Sequence, residues 1–279
     1  MFQPKNTTLH PFPYNAEVYK GLQGEHEVMF HGLHSCLYKN DKSDKIVLFS
    51  HGSGENVGML ADRAKTIRSA GINVFAYDYR GYGKSSGKAS VDGLVDDANS
   101  AYNYLTEELH YKPEQIVLFG ESIGGAVSAE IATHHRPAGL VLYNTFTTFK
   151  DAMYGMAPAM RYLYGDWALP SSKLETIKTL PLLGPPVLVF AGAQDQMISP
   201  TQGEAIAKAA HGDLVLLPTA THAGALTGED MKVFRERLEQ FIETRVDHRA
   251  HGASEQLRKA SFIDWQRAPS RLLFKRVNM

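Results

Sequence analysis

The sequence predicts an α/β fold in which a mostly parallel sheet of about eight strands is flanked by helices and carries a small helical lid. Continuous apolar runs at residues 45–50 and 115–119 are typical of strands that are buried on both faces. These runs alternate with segments of helical periodicity, which favours a parallel sheet covered on both sides. The chain has 279 residues, of which 43% are apolar, so it is long enough to bury a sizeable core. We expect residues 1–245 to form one domain.

The predicted elements begin with an N-terminal hairpin. Residues 26–30 and 33–39 are β-prone and are joined at Gly32, which suits a turn. Ser90 or Asp92 is the expected N-cap of a later helix. The remaining strands are predicted at 45–50, 73–79, 115–119, 139–143, 186–191 and 214–217, and the helices at 57–70, 91–109, 123–134 and 229–245.

A long connection, residues 147–185, separates two of the predicted strands and is rich in methionine and aromatic residues. Loops of this length inside compact domains are usually functional or structured in their own right, so we predict a small helical lid here. Methionine-rich apolar surfaces adapt to varied ligands. The side chains expected to contact substrate are Met153, Met156, Met160 and Trp167. The alternative is that these side chains simply pack into the body of the domain.

The motif Gly120-Glu121-Ser122-Ile123-Gly124 lies between a predicted strand and a predicted helix. This G-x-S-x-G pattern in that context is typical of a nucleophile elbow, a sharp turn that exposes a serine hydroxyl. The helix N-terminus behind the serine presents unpaired N–H groups to a developing negative charge. Ser122 is therefore the candidate nucleophile.

A serine nucleophile needs an imidazole to take its proton and a carboxylate to orient the imidazole. Asp195 and His222 follow Ser122 in the order Ser, Asp, His, and each lies just after a predicted strand. The carboxyl ends of strands are where open α/β sheets gather their sites, so the three residues are predicted to form a catalytic triad. Taken alone, Asp195 could be a turn former or a helix cap, and His222 an ordinary loop residue.

An oxyanion hole requires two N–H groups aimed at the tetrahedral oxygen. Ile123, the residue after the nucleophile, is one predicted donor. Ser53, in the glycine-rich turn after strand 45–50, is the other. A simple tight turn at Ser53 is the alternative reading of the same residues.

These motifs resemble the α/β-hydrolase superfamily of serine hydrolases over about residues 25–245. The resemblance rests on His51-Gly52-Ser53-Gly54-Glu55-Asn56, Asp78-Tyr79-Arg80-Gly81-Tyr82-Gly83-Lys84-Ser85, Gly120-Glu121-Ser122-Ile123-Gly124-Gly125, Asp195 and His222. Within the superfamily the chain is most similar to small-lid members that resemble monoacylglycerol lipases and lysophospholipases. The resemblance implies an α/β-hydrolase fold, the triad and oxyanion donors given above, and scaffold roles for Asp78 and Arg80.

Composition argues against several other classes of protein. The formal net charge of −1 gives no bulk attraction to nucleic acid. Cys36 is the single cysteine, which excludes an intrachain disulfide and fits a cytoplasmic protein. The first 15 residues contain no continuous apolar stretch, so they do not resemble a signal peptide or a membrane anchor.

Nucleotide, metal and cofactor binding are not predicted. The glycine loop at residues 81–87 resembles a phosphate loop, but the two common patterns would need glycine at Asp78 or at Ser86. His26, His31 and His34 cluster on the N-terminal hairpin, but such clustering is expected in a chain with 12 histidines and does not indicate a metal site.

Residues 246–279 form a predicted basic C-terminal extension, with seven Arg or Lys residues against three acidic ones. Packing on the body or disorder is favoured over contact with an acidic or membrane surface. The oligomeric state is not predicted.

The function predicted from these residues is hydrolysis of carboxylic esters or thioesters that carry an apolar acyl group, with a small-molecule substrate and no cofactor. One alternative is a non-catalytic protein that senses a ligand in the same pocket. Another is an acyltransferase or a peptidase that uses the same triad.

Overall fold

The computed structural model describes Leu22 and residues 25–156, 174–222 and 224–247. In this part of the chain eight strands form one sheet, in the order β1-β2-β4-β3-β5-β6-β7-β8. The strands are β1 (His26–Phe30), β2 (Leu33–Tyr38), β3 (Ile46–Ser50), β4 (Asn73–Tyr77), β5 (Ile116–Glu121), β6 (Gly139–Tyr143), β7 (Val187–Gly192) and β8 (Asp213–Leu217).

The sheet is antiparallel only at its N-terminal edge. Strand β2 pairs antiparallel with β1 and with β4, and every other neighbouring pair from β4 to β8 is parallel. Strands β3 to β7 are buried at every residue, as continuous apolar runs predict for strands covered on both faces. The predicted fold class is confirmed.

Helices cover both faces of the sheet and divide the core into two apolar clusters. Helices α1 and α7 contribute to one cluster, and α2, α3 and α6 contribute to the other. The helices are α1 (Ala61–Ser69), α2 (Val91–Asn103), α3 (Ile123–His135), α4 (Phe149–Met156), α5 (Thr176–Thr179), α6 (Pro200–Ala209) and α7 (Gly228–Phe241). Among the described helices, none combines the length and the hydrophobicity that crossing a membrane requires.

Several element boundaries differ from the predicted ones. Helix α1 begins at Ala61 and not at residue 57, because the N–H of Val57 donates to Asp78 Oδ1 and the side chain of Asn56 accepts from the N–H of Met59. The helix predicted at 91–109 ends in a wide π-type turn, Tyr104–Glu108. Ser90, one of the two expected caps, accepts from the N–H of Gly93.

A helix near Pro200 was expected only under the alternative in which Asp195 is its cap, and helix α6 is present there with a different cap. Ser199 caps it by accepting from the N–H of Thr201, and Pro200 occupies its first position. This helix follows the turn that contains Asp195, so Asp195 is not its cap.

The described chain continues beyond the predicted domain boundary at residue 245. A π-type turn, Ile242–Asp247, extends α7, and Val246 within it is buried. A side chain added at Gly139 of β6 would lie 3.1 Å from Val246, so this turn packs directly on the sheet.

Candidate active site

The backbone at Ser122 has the strained conformation expected of a nucleophile elbow. Ser122 lies between β5 and α3 with φ of 53° and ψ of −121°, a region that a non-glycine residue adopts only when its surroundings impose it. Its N–H donates to the carbonyl of Tyr143 at 3.0 Å, and its carbonyl accepts from Thr145 Oγ1 at 2.6 Å. Hydrogen bonds from the end of β6 therefore hold the Ser122 backbone on both sides.

The glycines of the motif are required because backbone segments approach one another closely at the elbow. A Cβ added at Gly120 would lie 2.2 Å from the carbonyl oxygen of Gly124. A Cβ added at Gly124 would lie 2.1 Å from the carbonyl oxygen of Ser50 in β3. Both distances are far below van der Waals contact, so only glycine allows α3 to start this close to the sheet.

The structure brings the three predicted triad residues into one hydrogen-bonded chain. His222 Nε2 lies 3.1 Å from Ser122 Oγ, and His222 Nδ1 lies 2.7 Å from Asp195 Oδ2. This arrangement fits an imidazole that donates from Nδ1 to the carboxylate and accepts the serine proton at Nε2.

Asp195 is fixed by the turn that follows β7. Its Oδ1 accepts from the N–H groups of Met197 and Ile198, both at 2.8 Å. Its side chain is 1% exposed, while the His222 side chain is 13% exposed. The carboxylate is therefore held in one orientation below the imidazole, and the imidazole reaches the surface of the site.

The two predicted oxyanion donors come from two segments near Ser122. Ile123 is the first residue of α3, where N–H groups lack an intrahelical partner. Ser53 lies in the turn after β3, next to Gly52, at which an added Cβ would be 3.5 Å from Ser122 Cβ. Both positions are compatible with donation of an N–H to an oxyanion at Ser122, and this role stays a prediction.

An ion-pair network, which the sequence did not reveal, joins the nucleophile to the turn that contains Ser53. Arg63 of α1 pairs with Glu121, the residue before Ser122, and with Glu55 at 3.2 Å. The other carboxylate oxygen of Glu55 accepts from the N–H of Gly52 at 3.2 Å. Through these contacts Glu55 and Glu121 hold the elbow and the Gly52 turn in fixed positions.

Asp78 stabilises the loops behind the site, as the family resemblance implies. It accepts from the N–H of Val57 at 2.7 Å and contacts His34 Nδ1 at 2.9 Å. Burial would raise the pKa of this carboxyl, but the His34 hydrogen bond and the nearby His51 ring together hold the pKa below its ordinary value. Arg80 has a similar scaffold role, because it binds Asp97 through its backbone N–H and its guanidinium group.

His51 is fully buried beside the candidate oxyanion turn. Its Nδ1 lies 2.7 Å from the carbonyl of Gly52, and its Nε2 lies 3.8 Å from Asp78 Oδ1, which is too long for a hydrogen bond. Burial lowers the pKa of His51, and the charge of Asp78 opposes this only in part. Because a carbonyl can only accept, Nδ1 is the donor in the hydrogen bond to Gly52.

The predicted lid is described only at its two ends. Helix α4 and residues 174–185 lie within the described chain, whereas Met160 and Trp167 lie outside it. The side chain of Met153 is half-buried and packs against the core, and that of Met156 is not described. A side chain added at Gly155 would lie 2.5 Å from the carbonyl of Met197, so α4 packs against the Asp195 turn. Substrate contact by these residues stays a prediction.

The chain is similar to one protein family and to several known proteins. Residues 41–178 match the family model described as serine aminopeptidase, S33. The uncharacterized protein YfhR of Escherichia coli O157:H7 is 30% identical over 207 residues, which cover 72% of this chain and 71% of that protein. The chain belongs to the α/β-hydrolase family. The α/β-hydrolase domain-containing protein WAV2 of Arabidopsis thaliana is 32% identical over 195 residues, which cover 64% of this chain and 62% of that protein.

Solved α/β-hydrolases share the fold. An esterase of Pyrococcus furiosus superposes with a TM-score of 0.68 at 16% identity, covering 87% of this chain and all of that esterase. The sequence relatives confirm, at the level of the superfamily, the resemblance read from the motifs. The narrower resemblance to monoacylglycerol lipases and lysophospholipases stays a prediction. Among the described residues, no three His, Cys, Asp or Glu side chains are grouped as metal ligands would be.

Proposed function

We propose that this α/β-hydrolase cleaves carboxylic esters or thioesters that carry an apolar acyl group, by way of an acyl-enzyme on Ser122. The observation that supports the proposal is the position of His222, which is hydrogen-bonded to Ser122 on one side and to Asp195 on the other. The strained elbow adds support, since strained backbone clusters at functional sites.

The proposed reaction has two halves, formation of the acyl-enzyme and its hydrolysis, and the same residues act in both. Ser122 Oγ attacks the acyl carbonyl while His222 Nε2 takes its proton, and Asp195 stabilises the imidazolium that forms. The N–H groups of Ile123 and Ser53 would bind the oxyanion. His222 then protonates the leaving alcohol or thiol. In the second half it activates a water molecule that releases the acid.

A fluorophosphonate probe followed by an ester series tests the proposal. The wild-type protein should be labelled at Ser122, and both Ser122→Ala and His222→Ala should lose labelling. p-Nitrophenyl esters from acetyl to dodecanoyl, together with acyl thioesters, should then be hydrolysed with a preference for an apolar acyl chain. Equal labelling of wild type and Ser122→Ala would rule out the nucleophile assignment.

The description of the matching family model favours a peptidase as the second candidate function. The same triad can cleave an amide, and the difference lies in the leaving group. Aminoacyl arylamides assayed beside the esters separate the two, because a peptidase would turn them over at a comparable or higher kcat/KM. Labelling of Ser122 without turnover of either class would favour the non-catalytic, ligand-sensing alternative, and acyl transfer to an added alcohol would reveal an acyltransferase.

A further inference from the structure

Asn144 follows β6 directly and adopts a left-handed backbone conformation although it is almost fully buried. Its φ is 46° and its exposed fraction is 3%. Asn tolerates this conformation better than most residues, yet such backbone is retained only where its surroundings fix it. The surroundings in this case are the two loops that contain Asp195 and His222.

The side chain of Asn144 makes three hydrogen bonds that join these loops. Oδ1 accepts from the N–H of Gly192 at 2.8 Å, and Nδ2 donates to the carbonyls of Thr221 at 3.0 Å and His222 at 3.2 Å. Gly192 ends β7 and its carbonyl accepts from the N–H of Asp195 at 3.2 Å. One amide group therefore contacts the backbone of His222 and the residue that holds the Asp195 turn.

The sheet geometry explains why a side chain is needed at this point. Pairing of β6 with β7 ends at Tyr143 and Phe190, and the N–H of Asn144 still donates to the carbonyl of Phe190. The next bond of a parallel ladder would join the N–H of Gly192 to the backbone carbonyl of Asn144. The side-chain oxygen of Asn144 accepts that N–H, and its amide nitrogen is left to bind the His222 loop.

We propose that Asn144 is a positioning residue that sets the distance between His222 and Asp195, a role that rests on the proposed serine-hydrolase function. Its neighbours complete the arrangement, because Tyr143 and Thr145 hold the N–H and the carbonyl of Ser122. The short segment 143–145 thus contacts the backbone of the nucleophile and of the histidine, and it reaches the aspartate through Gly192. Small misplacements of such groups lower catalytic rates strongly.

The test compares Asn144→Gly with a matched change at Asn73. Asn73 is 4% exposed and makes the same set of bonds, accepting from the N–H of Asn40 and donating to the carbonyls of Ser43 and Lys45. It lies at the start of β4, at the opposite end of the parallel strands from the site. Both glycine variants should lose stability. Only Asn144→Gly should lower kcat, by about tenfold or more with KM little changed.

Two further measurements keep the proposal falsifiable. Asn144→Asp retains the acceptor for Gly192 and tolerates the left-handed backbone, but it cannot donate to the His222 loop, so it should show the same loss of kcat. The downfield proton resonance of His222 Nδ1–H, identified by its loss in His222→Ala, should move upfield in Asn144→Gly and stay unchanged in Asn73→Gly.

The resonance needs no substrate, so it separates this proposal from the proposed function. A wild-type protein without fluorophosphonate labelling would contradict the hydrolase function, whereas the resonance would still report the His222–Asp195 contact. Equal kcat values in Asn144→Gly and Asn73→Gly, with the resonance unmoved in both, would overturn the positioning role.

Discussion

Arg63 of α1 forms an ion pair with Glu121, the residue that precedes the candidate nucleophile. The Glu121 side chain is 3% exposed and that of Arg63 is 12% exposed, so the pair is nearly removed from water. Because Arg63 also binds Glu55, the elbow and the turn after β3 share one cation. This contact links the stability of the fold to the geometry of the site.

Arg63→Met should destabilise the protein strongly, because it leaves the Glu121 carboxylate buried without its partner. Breaking a buried pair in this way costs about 3–5 kcal/mol. Arg68→Met on the same helix is the control. The Arg68 side chain is 33% exposed in its ion pair with Glu25, so this substitution should lower the free energy of unfolding by about 1 kcal/mol or less. Urea unfolding measures both, and adding Glu121→Gln to Arg63→Met should recover part of the loss. Equal losses for the two arginines would contradict the role of the pair.

Gly124→Ala should prevent the elbow from forming. The added methyl group would lie 2.1 Å from the carbonyl oxygen of Ser50 and 2.7 Å from that of His51, and such backbone atoms cannot move aside as a flexible side chain can. Gly71→Ala is the control, because its methyl group would meet no described atom within 4 Å. This substitution should cost only the backbone strain of an alanine at a φ of 90°, about 1–2 kcal/mol. Circular dichroism and fluorophosphonate labelling should show a folded, labelled Gly71→Ala protein and an unlabelled Gly124→Ala protein.

The stability of the protein should fall as the pH is lowered through the ordinary pKa of His51. Burial holds this pKa below 6.5 in the folded state, so the unfolded chain binds the proton more readily. Acid therefore favours unfolding at and below about pH 6.5. Asp78, with its lowered pKa, adds a second loss only as the pH falls below about 3.8.

His51→Asn should weaken the first of these effects, the loss of stability at and below about pH 6.5. The asparagine amide can still donate to the carbonyl of Gly52 but does not titrate. Urea midpoints of wild type and variant, measured between about pH 5 and pH 7.5, report the difference. An unchanged slope in the variant would show that another group is responsible.

Met153→Ala tests the predicted acyl site at its described end. Removing this side chain should lower kcat/KM for an octanoyl ester by about tenfold, because burial of each methylene contributes roughly 0.8 kcal/mol. The acetyl ester should be affected little. Met29→Ala is the control, since Met29 is 58% exposed on β1. An equal loss for both esters would indicate that Met153 only packs on the core.

The end of the domain can be tested by two truncations. A chain ended after Arg245 loses Val246, which is 1% exposed and contacts the sheet at Gly139. It should be less stable, by about 1.5–3 kcal/mol, than a chain ended after Asp247. Both truncations lack residues 248–279, so the difference in melting temperature isolates the buried turn. Equal stability would place the boundary at residue 245 as predicted.

The sequence by itself determined the fold class and the candidate triad. Apolar runs, glycine positions and the order of Ser122, Asp195 and His222 are local signals, and each can be read within a few residues of the strand or helix that contains it. The start of α1 moved because Asp78, a residue from another segment, accepts from the N–H of Val57. The sequence did not reveal that partner.

The positioning contacts were decided only by the tertiary structure. Arg63 and Glu121 are 58 residues apart, and Asn144 lies 48 residues from Gly192 and 78 from His222. No local pattern marks such pairs, since their contact depends on which strands become neighbours in the sheet and on how closely α1 and α3 pack on it. The sequence therefore predicted which residues would react, and the packing of the sheet decided which residues hold them in place.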